Sequence, residues 1–167
     1  MDTRVADQLR LRGGHLDFIG RSHIWIDDYD RADSVRFAQF ALANALAHTA
    51  PGQLEVLVFD DALRGIAAPF QEINSGGEKI LRHINDVQEL NETIKYLHEH
   101  VRSVLNVIQG RTESLLDFRQ QLSPKVEGFK LVVLSTIYDL LSDEIRDKLT
   151  VLLKAGPAAG VTFLIHS

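Results

Sequence analysis

The stretch Phe129–Leu141, FKLVVLSTIYDLL, decides how the rest of the chain is read. Its run Lys130 to Leu134 is apolar apart from the lysine and includes Val132 and Val133. Too short for a helix and preceded by Gly128, it reads as a buried strand of a mostly parallel sheet, where both faces are covered and polarity need not alternate. In open α/β sheets, ligands collect just beyond the carboxyl ends of the central strands, a place held here by Ser135 and Thr136. A sheet that hydrolyses nucleotides puts acids there to hold magnesium and orient water. This one offers two hydroxyl groups.

Downstream, Ser142 with Asp143 and Glu144 supplies a cap and first-turn acids for a helix. Ile145, Leu149, Leu152 and Leu153 form its buried face, and Lys154, Gly156 and Pro157 end it. Val161–Ile165, VTFLI, is a last strand. Upstream, Leu115–Leu122 reads as a short helix, with Pro124 and Gly128 marking the loop after it. Asp86 caps a long helix ending before Gly110, in which Val87, Leu90, Ile94, Leu97, Val101, Val104 and Ile108 follow at spacings of 3, 4, 3, 4, 3 and 4. That seam is read as lying along the sheet, since a self-associating coiled coil sustains the pattern longer. Ile80–Ile84 is a brief strand after a loop-like stretch over 61–78.

Leu54–Phe59, LEVLVF, and His23–Ile26, HIWI, read as buried strands. Between them Asp33 or Ser34 caps a helix with apolar positions Val35, Ala38, Leu42, Ala45 and Leu46, which stops near Pro51-Gly52. Strand, helix and strand in this order indicate a parallel crossover unit. Residues 1–21 form an arm, broken at Gly13-Gly14, with a first short strand over His15–Ile19.

Composition narrows the function classes. A chain of 167 residues with 45% hydrophobic and 25% charged content supports one folded domain with a full core. It has no run of eighteen apolar residues and no signal-peptide pattern at its start, so no membrane association and a cytoplasmic location are expected. With no cysteine, disulfides, thiolate metal sites and cysteine nucleophiles are excluded together. A net charge of −5 argues against a surface dominated by phosphate contacts.

Several local groupings favour plain readings. His98 and His100 are two apart on a helix and face different directions, which suits a solvated face better than a two-ligand metal site. Asp27, Asp28, Asp30 and Asp33 lack the glycine and terminal glutamate of a calcium loop. Arg4, Arg10, Arg12 and Arg21 are interspersed with Asp2 and Asp7 and read as scattered surface charge. Ser135 lacks the glycine-flanked elbow of a nucleophile, so neither a catalytic residue nor a metal ligand is assigned.

Three segments give the chain a wider resemblance: His23–Val35 (HIWIDDYDRADSV), Lys130–Leu141, and Gly156–Ser167 (GPAAGVTFLIHS). Over residues 22–167 they resemble the motor domain of the FtsK/SpoIIIE/HerA group of DNA-translocating P-loop ATPases. The resemblance implies a three-layer α/β fold with a mostly parallel sheet and RecA-like P-loop topology. The first segment looks like strand, phosphate loop and helix start, and the second like the strand whose end bears a paired Asp-Glu.

The departures from that group bear on function. A working phosphate loop needs glycines for close backbone approach, a lysine on the terminal phosphates and a Ser/Thr on magnesium. The matching positions here are Asp27, Asp28, Tyr29, Asp30, Arg31, Ala32, Asp33 and Ser34. They contain no glycine, put Asp33 in the lysine position, and keep only Ser34. Ser135 and Thr136 stand where the resemblance implies the acidic pair.

The expectation is therefore a catalytically inactive, pseudo-ATPase-like module without cofactor, acting as a structural or regulatory part of a DNA-translocase-type assembly. Protein partners or self-association are expected, with DNA reached through the assembly. The alternative is an ATPase domain that binds nucleotide in an altered way or completes a neighbouring subunit's site. The resemblance also implies a longer chain, and an exposed edge at Val161, Phe163 and Ile165 available for pairing with residues 15–19 or a second molecule.

Overall fold

Five strands form one all-parallel sheet in a computed structural model that describes residues 17–27, 29–49, 52–76, 80–121 and 128–167. They are β1 (Ile24–Ile26), β2 (Leu54–Asp60), β3 (Leu81–Ile84), β4 (Phe129–Ser135) and β5 (Val161–His166), in spatial order β1-β5-β4-β2-β3. The helices are α1 (Ala32–Ala47), α2 (Val87–Ile108), α3 (Leu115–Gln121) and α4 (Asp143–Ala155). Parallel neighbours need crossovers, and the flanking helices make this a three-layer α/β fold of the RecA-like type.

Every residue of β4 and β5 is buried, because both strands are interior to the sheet. This corrects the expectation of an open edge at Val161, Phe163 and Ile165: β5 pairs with β1 on one side and β4 on the other. The edges are β1 and β3. Both are short, and β1 carries Trp25, half exposed and packed edge-to-face on Tyr138 at 5.0 Å. The start of β3 is covered by Asn74, whose amide donates to the Leu81 carbonyl at 2.7 Å. Its Oδ1 accepts from Ile80 and Leu81 N–H at 2.8 and 3.0 Å. A side chain thus imitates a neighbouring strand. The stretch read as a loop over 61–78 contains the 3₁₀ segment Ala68–Gly76, which carries this asparagine.

The seam of α2 is used inside the chain. Leu90, Ile94, Leu97, Val101, Val104 and Ile108 are buried, and only Val87, in the first turn, is half exposed. Asp86 accepts from Glu89 N–H at 2.8 Å, and Glu89 reaches back to Asn85 N–H at 2.8 Å, closing the start of the helix reciprocally. Ser142 caps α4 by accepting from Ile145 N–H at 3.3 Å. Between α4 and β5 the chain needs glycine: at Gly156 a Cβ would meet the Leu152 and Val161 carbonyl oxygens at 2.5 and 2.7 Å.

Two sequence expectations fail near the amino end. Residues 17–21 form a turn, with Arg21 and Ser22 N–H both donating to the Phe18 carbonyl, and no strand runs through 17–19; residues 15 and 16 lie outside the described part. His23 precedes β1 instead of joining it. Its Nδ1 accepts from Phe163 N–H at 2.9 Å, so its Nε2–H donates to the Leu153 carbonyl at 2.7 Å. One neutral imidazole ties the end of α4 to β5. No helix among the described residues is long and apolar enough to cross a membrane.

Candidate functional site

The strand register brings four strand ends into one row: Ile26 lies beside His166, His166 beside Ser135, and Ser135 beside Asp60. The loop from β1 to α1 arrives over this row. Asp27 is exposed, Asp28 lies outside the described residues, and Ala32 begins α1. Arg31 takes the cap position without a side-chain cap bond, which corrects the assignment of that role to Asp33 or Ser34.

Ser34 is diverted into the sheet. Its hydroxyl lies 2.6 Å from the Arg31 carbonyl, which can only accept, so Ser34 donates there. His166 Nε2, 2.7 Å from the same oxygen, must then be the donor to it. The other nitrogen, Nδ1, is 2.8 Å from Ser135 Oγ and accepts from that hydroxyl. A neutral imidazole in its Nε2–H form thus bridges the two serines, and all three side chains are buried. Burial lowers the His166 pKa, helped by the positive charge of Arg64 and opposed by Asp60.

Tyr29 closes this bridge from above, its ring tilted over His166 at 5.0 Å between centroids. Arg64 stacks on the outer side of Tyr29 at 4.4 Å, donates to the Tyr29 carbonyl and pairs with Asp30 at 3.3 Å. Arg64 is itself aimed by Asp60, whose two oxygens accept from Arg64 and Gly65 N–H at 2.8 Å each. This turn holds Leu63 at φ +53, a left-handed conformation that leucine rarely adopts, with its side chain exposed. Asp61 accepts from the Thr136 hydroxyl at 2.7 Å and lies 3.5 Å from the Tyr29 hydroxyl. Desolvation, followed by the charge of Asp61, raises the Tyr29 pKa, so the phenol keeps its proton.

The structure therefore joins Ser34, Ser135, Thr136 and Tyr29 and leaves Asp27, Asp30 and Asp33 exposed. The side chain of Asp30 is 97% exposed, and Asp33 lies in solvent 3.7 Å from Arg31 and 3.9 Å from Arg36. No group of three or more potential metal ligands occurs among the described residues. His98 and His100 have separate surroundings: the first is 3.2 Å from the Lys148 carbonyl, the second beside the Tyr96 ring. Arg21 pairs with Asp17 at 3.2 Å, while Arg4, Arg10 and Arg12 lie outside the described residues.

Ser135 against an imidazole has the hydrogen bond of a nucleophile with its base, yet a reactive pair needs an approachable oxygen and an orienting partner for the imidazole. Ser135 is wholly buried, and the far side of His166 meets a serine. The cluster is suited to holding the β1–α1 loop shut. Sequence reasoning missed His166, Arg64 and Asp61. Position alone signalled His166, the last strand residue before the final Ser167. The chain matches no protein-family model, no curated protein and no solved structure.

Proposed function

We propose that the chain is a catalytically silent ATPase-like module, serving as a structural or regulatory part of a DNA-translocase-type assembly. One observation carries the first half of this reading: His166 occupies the Ser34 and Ser135 hydroxyls beneath the ring of Tyr29. Ser34 is the one residue of the loop that matches the phosphate-loop motif, at its magnesium-holding Ser/Thr position, and its oxygen is already committed to His166 and Arg31. Glycine-free backbone over Asp27–Arg31 adds no phosphate cradle. The assembly rests on the resemblance of the three segments and agrees with a RecA-like sheet.

Calorimetry with magnesium-ATP on the full chain tests the reading. No saturable binding is expected below about 100 µM, a free energy of roughly −5.5 kcal/mol, and such binding would refute it. Asp33→Lys is expected not to restore affinity, because Asp33 faces solvent beside Arg31 and Arg36, away from the bridged serines. A second reading, altered nucleotide binding, draws on Asp61, which brings a carboxylate to Thr136 from β2 instead of β4. It predicts binding that Asp61→Asn removes.

A further inference from the structure

The two edges of the sheet are finished differently. At β3, the Asn74 side chain takes the place of a neighbouring strand. At β1 no described residue does so. Ser167 N–H donates to the Ile26 carbonyl at 3.1 Å, so Ile26, and Ile24 two residues before it, turn their backbone groups toward β5. Trp25, between them, turns its N–H and C=O away from the sheet, and neither meets a hydrogen-bond partner among the described residues. The free edge of β1 is therefore one residue that carries one donor and one acceptor.

Apolar surface surrounds it. The Trp25 indole is 44% exposed and rests edge-to-face on Tyr138, while Ile137 and Leu140, from the same turn, are 44% and 78% exposed. Charge brackets the strand asymmetrically, with exposed Arg21 before it and exposed Asp27 after it.

These features fit a second copy of β1 running in the opposite direction. Two residues that face each other as a hydrogen-bonded antiparallel pair exchange both N–H···O bonds. About a two-fold axis beside Trp25, the donor of each copy meets the acceptor of the other, and neither edge keeps an unpaired group. The same axis brings the Asp27 end of each strand to the Arg21 end of the other and sets the two indoles side by side.

We propose that the chain self-associates through β1 into a two-fold dimer, with Trp25 opposite Trp25 and one sheet continuing across both copies. A three-residue strand and this apolar patch cover less than the roughly 800 Å² per partner of a stable complex, so the dimer is weak, with Kd between about 10 µM and 1 mM. The pairing uses none of Ser34, Ser135 and His166, and it holds whether or not the chain takes up nucleotide.

Sedimentation equilibrium and amide NMR of the full chain, from about 20 µM to about 2 mM, read the association. The mass should rise toward twice that of one chain, shifts should stay confined to residues around 22–27 and 137–140, and exchange of the Trp25 amide should slow as concentration rises. Trp25→Lys sets like charges opposite each other and should weaken the dimer at least about tenfold, and Leu140→Asp, at the rim, at least about threefold. Both side chains are exposed, so both variants are expected to fold. Orientation is read by crosslinking, because the chain has no cysteine. Facing residues of a hydrogen-bonded pair lie about 5.5 Å apart between Cα atoms, within disulfide reach. Under mild oxidation Trp25→Cys should form a covalent dimer faster than Val151→Cys, which is exposed on α4. A mass that stays at one chain throughout, association that survives Trp25→Lys, or equal crosslinking of the two cysteine variants would overturn the proposal. So would a Trp25 amide protected equally at every concentration, which would mean that another segment of the same chain fills the edge.

Discussion

Helices α1 and α4 both carry a serine beside acids at their starts, and only one uses it as a cap. Ser142 accepts from Ile145 N–H and caps the start of α4 as local rules require. Ser34 lies inside the first turn of α1, where its hydroxyl serves the Arg31 carbonyl and His166 while the cap position falls to an arginine whose side chain makes no cap bond. The difference teaches where local rules yield: a helix start that faces solvent obeys its own sequence, and one pressed onto strand ends is recruited by tertiary contacts.

The largest effect is expected in the framework that both helices share. Leu97 is fully buried in the α2 seam, so Leu97→Ala should destabilise the chain by about 2–5 kcal/mol in urea unfolding, with no change in mass by sedimentation. A stability near wild type would mean that α2 contributes little to the core and that the contrast between α1 and α4 rests on a looser scaffold.

Next comes the bridge itself. Ser34→Ala leaves the buried Nε2–H of His166 without its acceptor, at a cost of about 1–3 kcal/mol, whereas Ser142→Ala removes one cap at about 1 kcal/mol. The two variants, unfolded side by side, sharpen the comparison if Ser34→Ala costs more. Equal losses would show that Ser34 acts as an ordinary helix-start residue and that the bridge adds nothing.

The same contrast marks what could be read from the sequence. The strand read at Lys130–Leu134, the α2 seam from Leu90 to Ile108, and the caps Asp86 and Ser142 are local patterns of apolar period and turn chemistry, and each appears in the structure, the strand one residue longer at either end. Strand order is not local. Placing β5 between β1 and β4 depends on pairings more than a hundred residues apart, such as Ile24 with Leu164, so the edge expected at Val161, Phe163 and Ile165 was misplaced. The cluster suffers from the same limit: Ser34, Ser135 and His166 come from three distant segments, and only the register aligns them. Ser135 and Thr136 were legible as strand-end residues, whereas the histidine joining one of them to Ser34 looked like the tail of an apolar strand.

The smallest expected effect is a slope of stability against pH, to which the bridge and the His23 tie both contribute. In each, Nδ1 accepts a hydrogen bond, from Ser135 at His166 and from Phe163 N–H at His23, so adding a proton there removes an acceptor. Burial is the main cause lowering both pKa values. At His166 Arg64 adds to it and Asp60 opposes it; at His23 the bond to the Leu153 carbonyl opposes it. The unfolded chain therefore binds protons at these positions before the folded chain does. Their contribution is fully present above the unfolded value of about 6.5 and declines as pH falls below it, until the folded histidines also titrate. Urea midpoints should fall from pH 7 toward pH 5. Imidazole resonances of His166 and His23 should titrate below the usual histidine value of about 6.5. His23→Asn should reduce the slope while leaving the lowered titration of His166 in place. If instead the slope is unchanged in that variant and both histidines titrate at about 6.5, neither imidazole is held as described, and the distinction between a recruited and a self-capped helix start loses its central residue.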